Sequence, residues 1–315
     1  MSDYTAPWWL PGGHLQTVYA SLRPPPRVPL ERERWETPDG DFIDVDYAGE
    51  ARARRLLVLF HGLEGGSQSH YARAFAAHAC AAGWRLALPQ WRGCSGEPNR
   101  KPRAYHSGDS DEVDWILQRF AARTVELFAA GVSLGGNALL KWLGERAEEA
   151  RRIVRRAAAV SAPLDLGAAG RALDRGLNRI LYTRHFLSTL RPKSLEKLER
   201  FPGLYDTALV RRARTMHEFD DAVTAPLHGF RDADDYWARA SSSPWLSAVR
   251  VPTLVLNARN DPFLPEAALE AAARQASSSL LLEFPRTGGH AGFLEGPFPG
   301  RHTWLPRHLV QFLGA

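Results

Sequence analysis

Residues 131–135, Gly131-Val132-Ser133-Leu134-Gly135, lie between a strand-like run, VELFAAG, and a helix-like run, GNALLKWLGERAE. A serine hydroxyl attacks an electrophilic carbon only when a base removes its proton. On a sharp strand-to-helix turn the serine is held in an unfavourable backbone conformation, and side chains two positions before and after it would collide. Gly131 and Gly135 remove those side chains, so the pentapeptide fits the G-x-S-x-G nucleophile elbow. The helix that follows aims its free N–H groups at the serine and favours negative charge there. A phosphate-binding loop is the competing explanation. Its G-x-G-x-x-G form needs glycine where Ser133 stands, and the lysine of a P-loop is absent. The pentapeptide alone leaves both open.

A serine nucleophile needs a base, and the base an orienting acid, in the chain order Ser, Asp or Glu, His for this kind of elbow. Asp261, in LNARNDPFLP, follows the strand-like PTLVLNA at its carboxyl end, where sites collect on open α/β sheets. His290, in TGGHAGFLEG, lies just beyond the strand-like SLLLEF in a glycine-rich loop. Alone, each has a plain explanation: an aspartate before proline starts turns, and the chain holds eleven histidines. The three in the required order, each at a strand end, favour catalysis. HGLEGG, closing the early run LLVLF, adds a place for the oxyanion. The backbone N–H of Leu63, with that of Leu134, would hold the developing charge, each contributing about 3 kcal/mol. His61 reads as a structural loop residue, and Gly136 as close helix–strand packing. Cys94 has no base near it in sequence. Asp220 and Asp221 are rival acids, but they do not follow a sheet strand.

The elements that must position these residues alternate. ERERWETPDGDFIDVDYAG reads as a hairpin turning at Asp39-Gly40. RRLLVLFHG has the continuous apolar character of a strand buried on both faces. Helix-like and strand-like runs then follow one another as far as IVRRAAAVSAP, implying parallel strands joined by right-handed helical crossovers. Residues 164–242 break the pattern with helical periodicity and no strand. VPTLVLNARN and SLLLEF resume the strands before a closing helix, WLPRHLVQFLG. The expected organisation is an irregular arm over residues 1–30, an α/β core over 31–163 and 243–315, and a helical cap over 164–242.

The totals agree with a soluble globular protein. The chain has 315 residues, 44% hydrophobic and 24% charged, with a net charge of +5. No apolar run approaches the ~18 residues of a membrane span. The opening MSDYTAPWWLPGG lacks the basic and apolar regions of a secretory signal. Two cysteines, Cys80 and Cys94, give no disulfide framework and fit a reducing, cytoplasmic location. The basic clusters ARARR and ARRIVRR are not interleaved with aromatics, so no nucleic-acid partner is expected. Trp8 and Trp9 suit a membrane interface by type, but are read as packing on the domain.

HGLEGG, WRGCSGEPNR, YHSGDSDEVDWIL, GVSLGGNALLKWLGE, FDDAVTAPLHGF, NDPFLP and the opening PWWLPGGHLQT together resemble the YheT-like branch of the α/β-hydrolases, over nearly the whole chain. That branch includes the yeast medium-chain ester synthases and mammalian lipid hydrolases. The resemblance implies the α/β-hydrolase fold, a mostly parallel doubly wound sheet with a helical lid insertion. It also implies Ser133 as nucleophile, Asp261 as acid and His290 as base, with no metal or cofactor. The expected activity is hydrolysis of a small-molecule carboxylic ester of short to medium acyl length. Acyl transfer to an alcohol would use the same residues, and a non-catalytic binding module would be expected to lose one. Two departures stand out: Asn260-Asp261 where paired acids are common, and Gln90-Trp91 before RGCSGEPN, expected to alter the pocket. Arg92, Glu97, His106 and Asp109 are expected to pair with one another in a structural network.

Overall fold

The apolar runs become neighbouring strands of one sheet in the computed structural model, which describes residues 4–23, 25–124 and 126–315. Residues 1–3 and Pro24 of the expected arm, and Val125 of an expected strand, lie outside the described residues. The strands are β1 (Glu31–Glu36), β2 (Phe42–Ala48), β3 (Arg55–Phe60), β4 (Arg85–Pro89), β5 (Glu126–Val132), β6 (Ala157–Val160), β7 (Thr253–Leu256) and β8 (Leu280–Glu283). They lie in the order β1-β2-β4-β3-β5-β6-β7-β8. The first two form the antiparallel hairpin expected from Asp39-Gly40, and Gly40 takes the φ of +78° that its turn demands. β2 runs antiparallel to β4, and from β4 to β8 every pairing is parallel.

Helices cover both faces, which is why the inner strands read as unbroken apolar runs. Leu56, Val58 and Phe60 of β3 face one side, with Val113 and Leu117 of α3 (Ser110–Ala121) and Leu139 of α4 (Leu134–Arg146). Leu57 and Leu59 face the other, with Phe75 of α2 (His70–Ala81) and Leu309 of the C-terminal helix Trp304–Gly314. Residues 164–242 hold no strand among the described residues and gather a separate apolar cluster around Leu187, Met216, Phe219 and Trp237. No helix among the described residues is long and apolar enough to cross a membrane.

Two helices escape the hydrophobic pattern. The arm is not irregular throughout, because it contains α1 (Gly13–Leu22), whose buried residues are Gln16, Thr17 and Ala20. A helix that buries polar groups shows no apolar stripe. The helix Glu266–Ala273 is mostly alanine and buries only Leu269 and Ala272. Trp9 packs edge-on against Tyr19 and Phe298 and donates its indole N–H to the Gly296 carbonyl. Trp8, expected to pack likewise, is 91% exposed.

Candidate active site

Ser133 stands between the end of β5 and the start of α4, with φ +55° and ψ −121°. Its N–H donates to the Val160 carbonyl at 2.8 Å, which anchors the turn to β6. A backbone of this kind costs an L-residue about 1–3 kcal/mol and persists only where its surroundings hold it. The glycines have the expected steric reason. A Cβ on Gly131 would lie 2.3 Å from the Gly135 carbonyl oxygen, and one on Gly135 would lie 2.4 Å from that of Phe60. Gly136 is tight but less extreme, at 3.0 Å from the Ala162 methyl.

The structure brings Ser133, His290 and Asp261 into one hydrogen-bonded chain. His290 Nε2 lies 2.9 Å from Ser133 Oγ, and His290 Nδ1 lies 2.8 Å from Asp261 Oδ2. An ionised carboxylate only accepts, so Nδ1 carries the proton and Nε2 is left free to accept from the serine hydroxyl. The Asp261 side chain has no exposure, and its Oδ1 accepts from the Phe263 N–H at 2.8 Å. The Phe263 ring stacks on the imidazole with centroids 4.0 Å apart. Asp220 and Asp221 are elsewhere. Asp220 accepts from Thr224 Oγ1 and Trp237 Nε1, and burial pushes its carboxyl up to about 6. Asp221 accepts from the Ala233 N–H.

The loop that carries His290 is held by residues that the motifs did not single out. Thr17 Oγ1, on α1, accepts from the His290 N–H at 2.9 Å and donates to the Gly13 carbonyl at 2.7 Å. Gln16 Oε1 accepts from both the Gly288 N–H and the Asn260 side chain. Asn260 Oδ1 in turn accepts from the Gly289 N–H. So Asn260, noted as a departure, ties the acid's loop to the base's loop by an amide that both donates and accepts. Only the PWWLPGGHLQT motif hinted at these contacts.

Leu63 and Leu134 flank the nucleophile. A Cβ on Gly62 would lie 3.1 Å from the Ser133 Cβ, so this loop passes directly beside the serine. Among the described residues neither the Leu63 nor the Leu134 amide donates to a protein acceptor. For Leu134 this follows from its position in the first turn of α4. The loop is pinned from beneath: Tyr71 Oη accepts from the Gly62 N–H, and the Trp91 indole donates to the His61 carbonyl at 2.8 Å. His61 Nε2 accepts from the Trp91 N–H, so its Nδ1 is protonated and donates to the Gly62 carbonyl. Burial pushes His61 down to about 4, which keeps it neutral and structural. Trp91 therefore braces this loop from beneath.

Leu63 and Leu134 also line a cavity of about 510 Å³, whose far wall includes Leu190, Met216, Phe219 and Val223 from residues 164–242. Cys94 borders it too, but burial pushes its thiol up to about 12, away from the thiolate a nucleophile needs. Arg92, Glu97, His106 and Asp109 do not pair with one another as expected. Arg92 is bonded to Asp39, Asp41 and Glu112, Glu97 to Arg34, and Asp109 to Arg103. His106 accepts from the Gly108 N–H and lies against His228. The network is structural, but its partners come chiefly from the β1–β2 hairpin and α3. Among the described residues no group of three His, Cys, Asp or Glu side chains could hold a metal ion.

A family profile described as the alpha/beta hydrolase fold matches residues 55–297. The chain is 35% identical over 311 residues to YheT of Escherichia coli (strain K12), a conjectural esterase by its name, covering 95% of this chain and 89% of that one. It is 29% identical over 318 residues to phospholipase ABHD3 of Mus musculus, covering 98% of this chain and 76% of the other. Among solved structures, the esterase EaEST from Exiguobacterium antarcticum superposes with a TM-score of 0.60 at 16% identity, over 90% of this chain and 100% of that one. That likeness shows the fold.

Proposed function

The chain belongs to the α/β-hydrolase fold family, in its YheT-like branch, and from that premise we propose that it is a serine hydrolase of carboxylic esters. The observation that carries the reading is the continuous chain from Asp261 through His290 to Ser133, at 2.8 and 2.9 Å. Ser133 Oγ attacks the acyl carbon as its proton passes to His290 Nε2, and Asp261 stabilises the imidazolium that forms. The tetrahedral oxyanion accepts from the N–H groups of Leu63 and Leu134. His290 then protonates the leaving alcohol, and the acyl group stays on Ser133. Water attacks this acyl-enzyme while His290 takes its proton, and collapse frees the acid and restores the serine. These steps use only the chain's own residues.

The cavity of about 510 Å³ beside Leu134 falls in the range of small-molecule sites. Its apolar wall from residues 164–242 suits an acyl chain of short to medium length, so this segment acts as the lid. The names of the YheT and ABHD3 relatives support an ester substrate. A fluorophosphonate probe tests the nucleophile: it should label the wild type and leave Ser133→Ala unlabelled. Labelling of the alanine variant would sink the assignment. The wild type should hydrolyse p-nitrophenyl esters with an optimum of acyl length set by the cavity, and Ser133→Ala should not.

A further inference from the structure

Beside the proposed site lies a bare apolar ledge. A continuous helical run starts at Gly176, passes through a π-helical turn at Arg179–Thr183 and continues to Arg200. Near its start Leu177, Ile180 and Leu181 share one face and are 61%, 62% and 44% exposed. On α1, Leu15 is 54% exposed. The two segments meet where His14 Nδ1 lies 3.1 Å from Tyr182 Oη with the rings stacked; the run is also tied to the loop of Asp261, where Asn178 donates to the Pro262 carbonyl at 2.6 Å.

The two stretches of chain that form this ledge carry charge of one sign. Residues 4–30 contain no aspartate or glutamate, and neither do residues 175–195. Arg179 and Arg184 are exposed on the helical run, and Arg175 is exposed just before it. The adjoining Asp174 is engaged by the N–H groups of Met216 and His217. Aliphatic side chains bare on one face of a helix whose exposed charges are arginines, with no acid in the same stretch, describe a helix that lies in an anionic lipid surface. Scattered exposed leucines need no explanation, but a contiguous group on one face does. The ledge also adjoins the proposed base: Tyr182 packs on Phe263 at 4.6 Å between centroids, and Phe263 stacks on His290.

We propose that the face formed by Leu15, Leu177, Ile180 and Leu181, with Arg175, Arg179 and Arg184, docks the protein on an anionic phospholipid surface. If the proposed ester hydrolysis also holds, the docked face holds the site against the surface from which an amphiphilic ester would come. Docking itself does not depend on that reading.

Flotation with phosphatidylcholine vesicles, with and without one-third phosphatidylglycerol, tests it. The full chain should float with the mixed vesicles at low salt, remain behind with the neutral ones, and lose binding as salt rises. Ile180→Asp with Leu181→Asp should abolish flotation, and Arg179→Gln and Arg184→Gln should each weaken it about fivefold. These variants should keep wild-type melting and wild-type fluorophosphonate labelling. Equal binding to both vesicle types, no binding at low salt, or variants that float like the wild type would overturn the proposal. So would a dimer in sedimentation that the aspartate pair dissolves in the absence of vesicle binding. Loss of probe labelling in the wild type, with flotation intact, would instead remove the catalytic reading and leave the docking face standing.

Discussion

Replacing Asp261 with asparagine keeps the shape of the side chain and reverses one hydrogen bond. In the wild type Oδ1 accepts from the Phe263 N–H and Oδ2 faces His290 Nδ1, both at 2.8 Å, inside a fully buried pocket. The amide oxygen of asparagine must remain on the Phe263 N–H, because an NH₂ group there would oppose a donor. The NH₂ group then faces His290 Nδ1 and makes that nitrogen the acceptor. The imidazole proton moves to Nε2, which can no longer receive the proton of Ser133 Oγ. The expected loss in kcat is about 10³- to 10⁴-fold, or roughly 4–5 kcal/mol of barrier. KM should change little, because Asp261 does not line the cavity. Steady-state hydrolysis of p-nitrophenyl butyrate, with a circular-dichroism melt to verify folding, measures both. A folded variant within tenfold of the wild-type kcat would refute the assignment and move the acid elsewhere.

Asp220→Asn should leave kcat within about twofold, since Asp220 bonds Thr224 and Trp237 and not His290. Its carboxyl is raised from 3.8 to about 6, so its stabilisation holds below the lower value and is lost as pH rises through the upper one. The asparagine variant should therefore melt higher than the wild type at pH 8, by an amount equivalent to about 3 kcal/mol, and not at pH 4. His61 and His70 shift the other way, pushed from 6.5 to about 4 by burial. The unfolded chain takes up protons first, so the stability they contribute is present above 6.5 and lost as pH falls towards 4, by about 3 kcal/mol each. Melting curves from pH 7 to 4 should show a steep fall that His70→Gln flattens; an unchanged slope in that variant would refute the burial argument.

The legible parts of this chain are those in which one local property serves one purpose. β3 and β5 are buried on both faces, so they read as apolar runs, and the elbow glycines read as glycines because any side chain there meets backbone. The order of Ser133, Asp261 and His290 was legible because topology fixes which strand ends adjoin. α1 was not, since its buried face is Gln16 and Thr17, whose value lies in amides contributed from 260 and 288–290. The partners of Arg92 were missed for a similar reason. Asp39 is 53 residues away in sequence, and nothing local to WRGCSGEPNR points to the hairpin that carries it.

The position of the proposed base is set by contacts from segments far apart in the chain. Thr17 holds the His290 N–H, Ser161 Oγ accepts from the Ala291 N–H, and His70 Nε2 bonds the Ala291 carbonyl. Ala291 and Phe293 both take positive φ, at 53° and 41°, so the loop is strained and stays put only because several segments grip it. The chain therefore carries its imbalance of strain and support before any substrate arrives, which is the condition for an imidazole already aimed at Ser133. One of those grips comes from α1, two residues from the exposed Leu15. A helix this short is stiff, so Leu15 and Thr17 keep a fixed separation whatever residues 164–242 do. A lipid surface that meets Leu15 thus lies at a set distance from His290, and the arm links where the protein docks to where it would react.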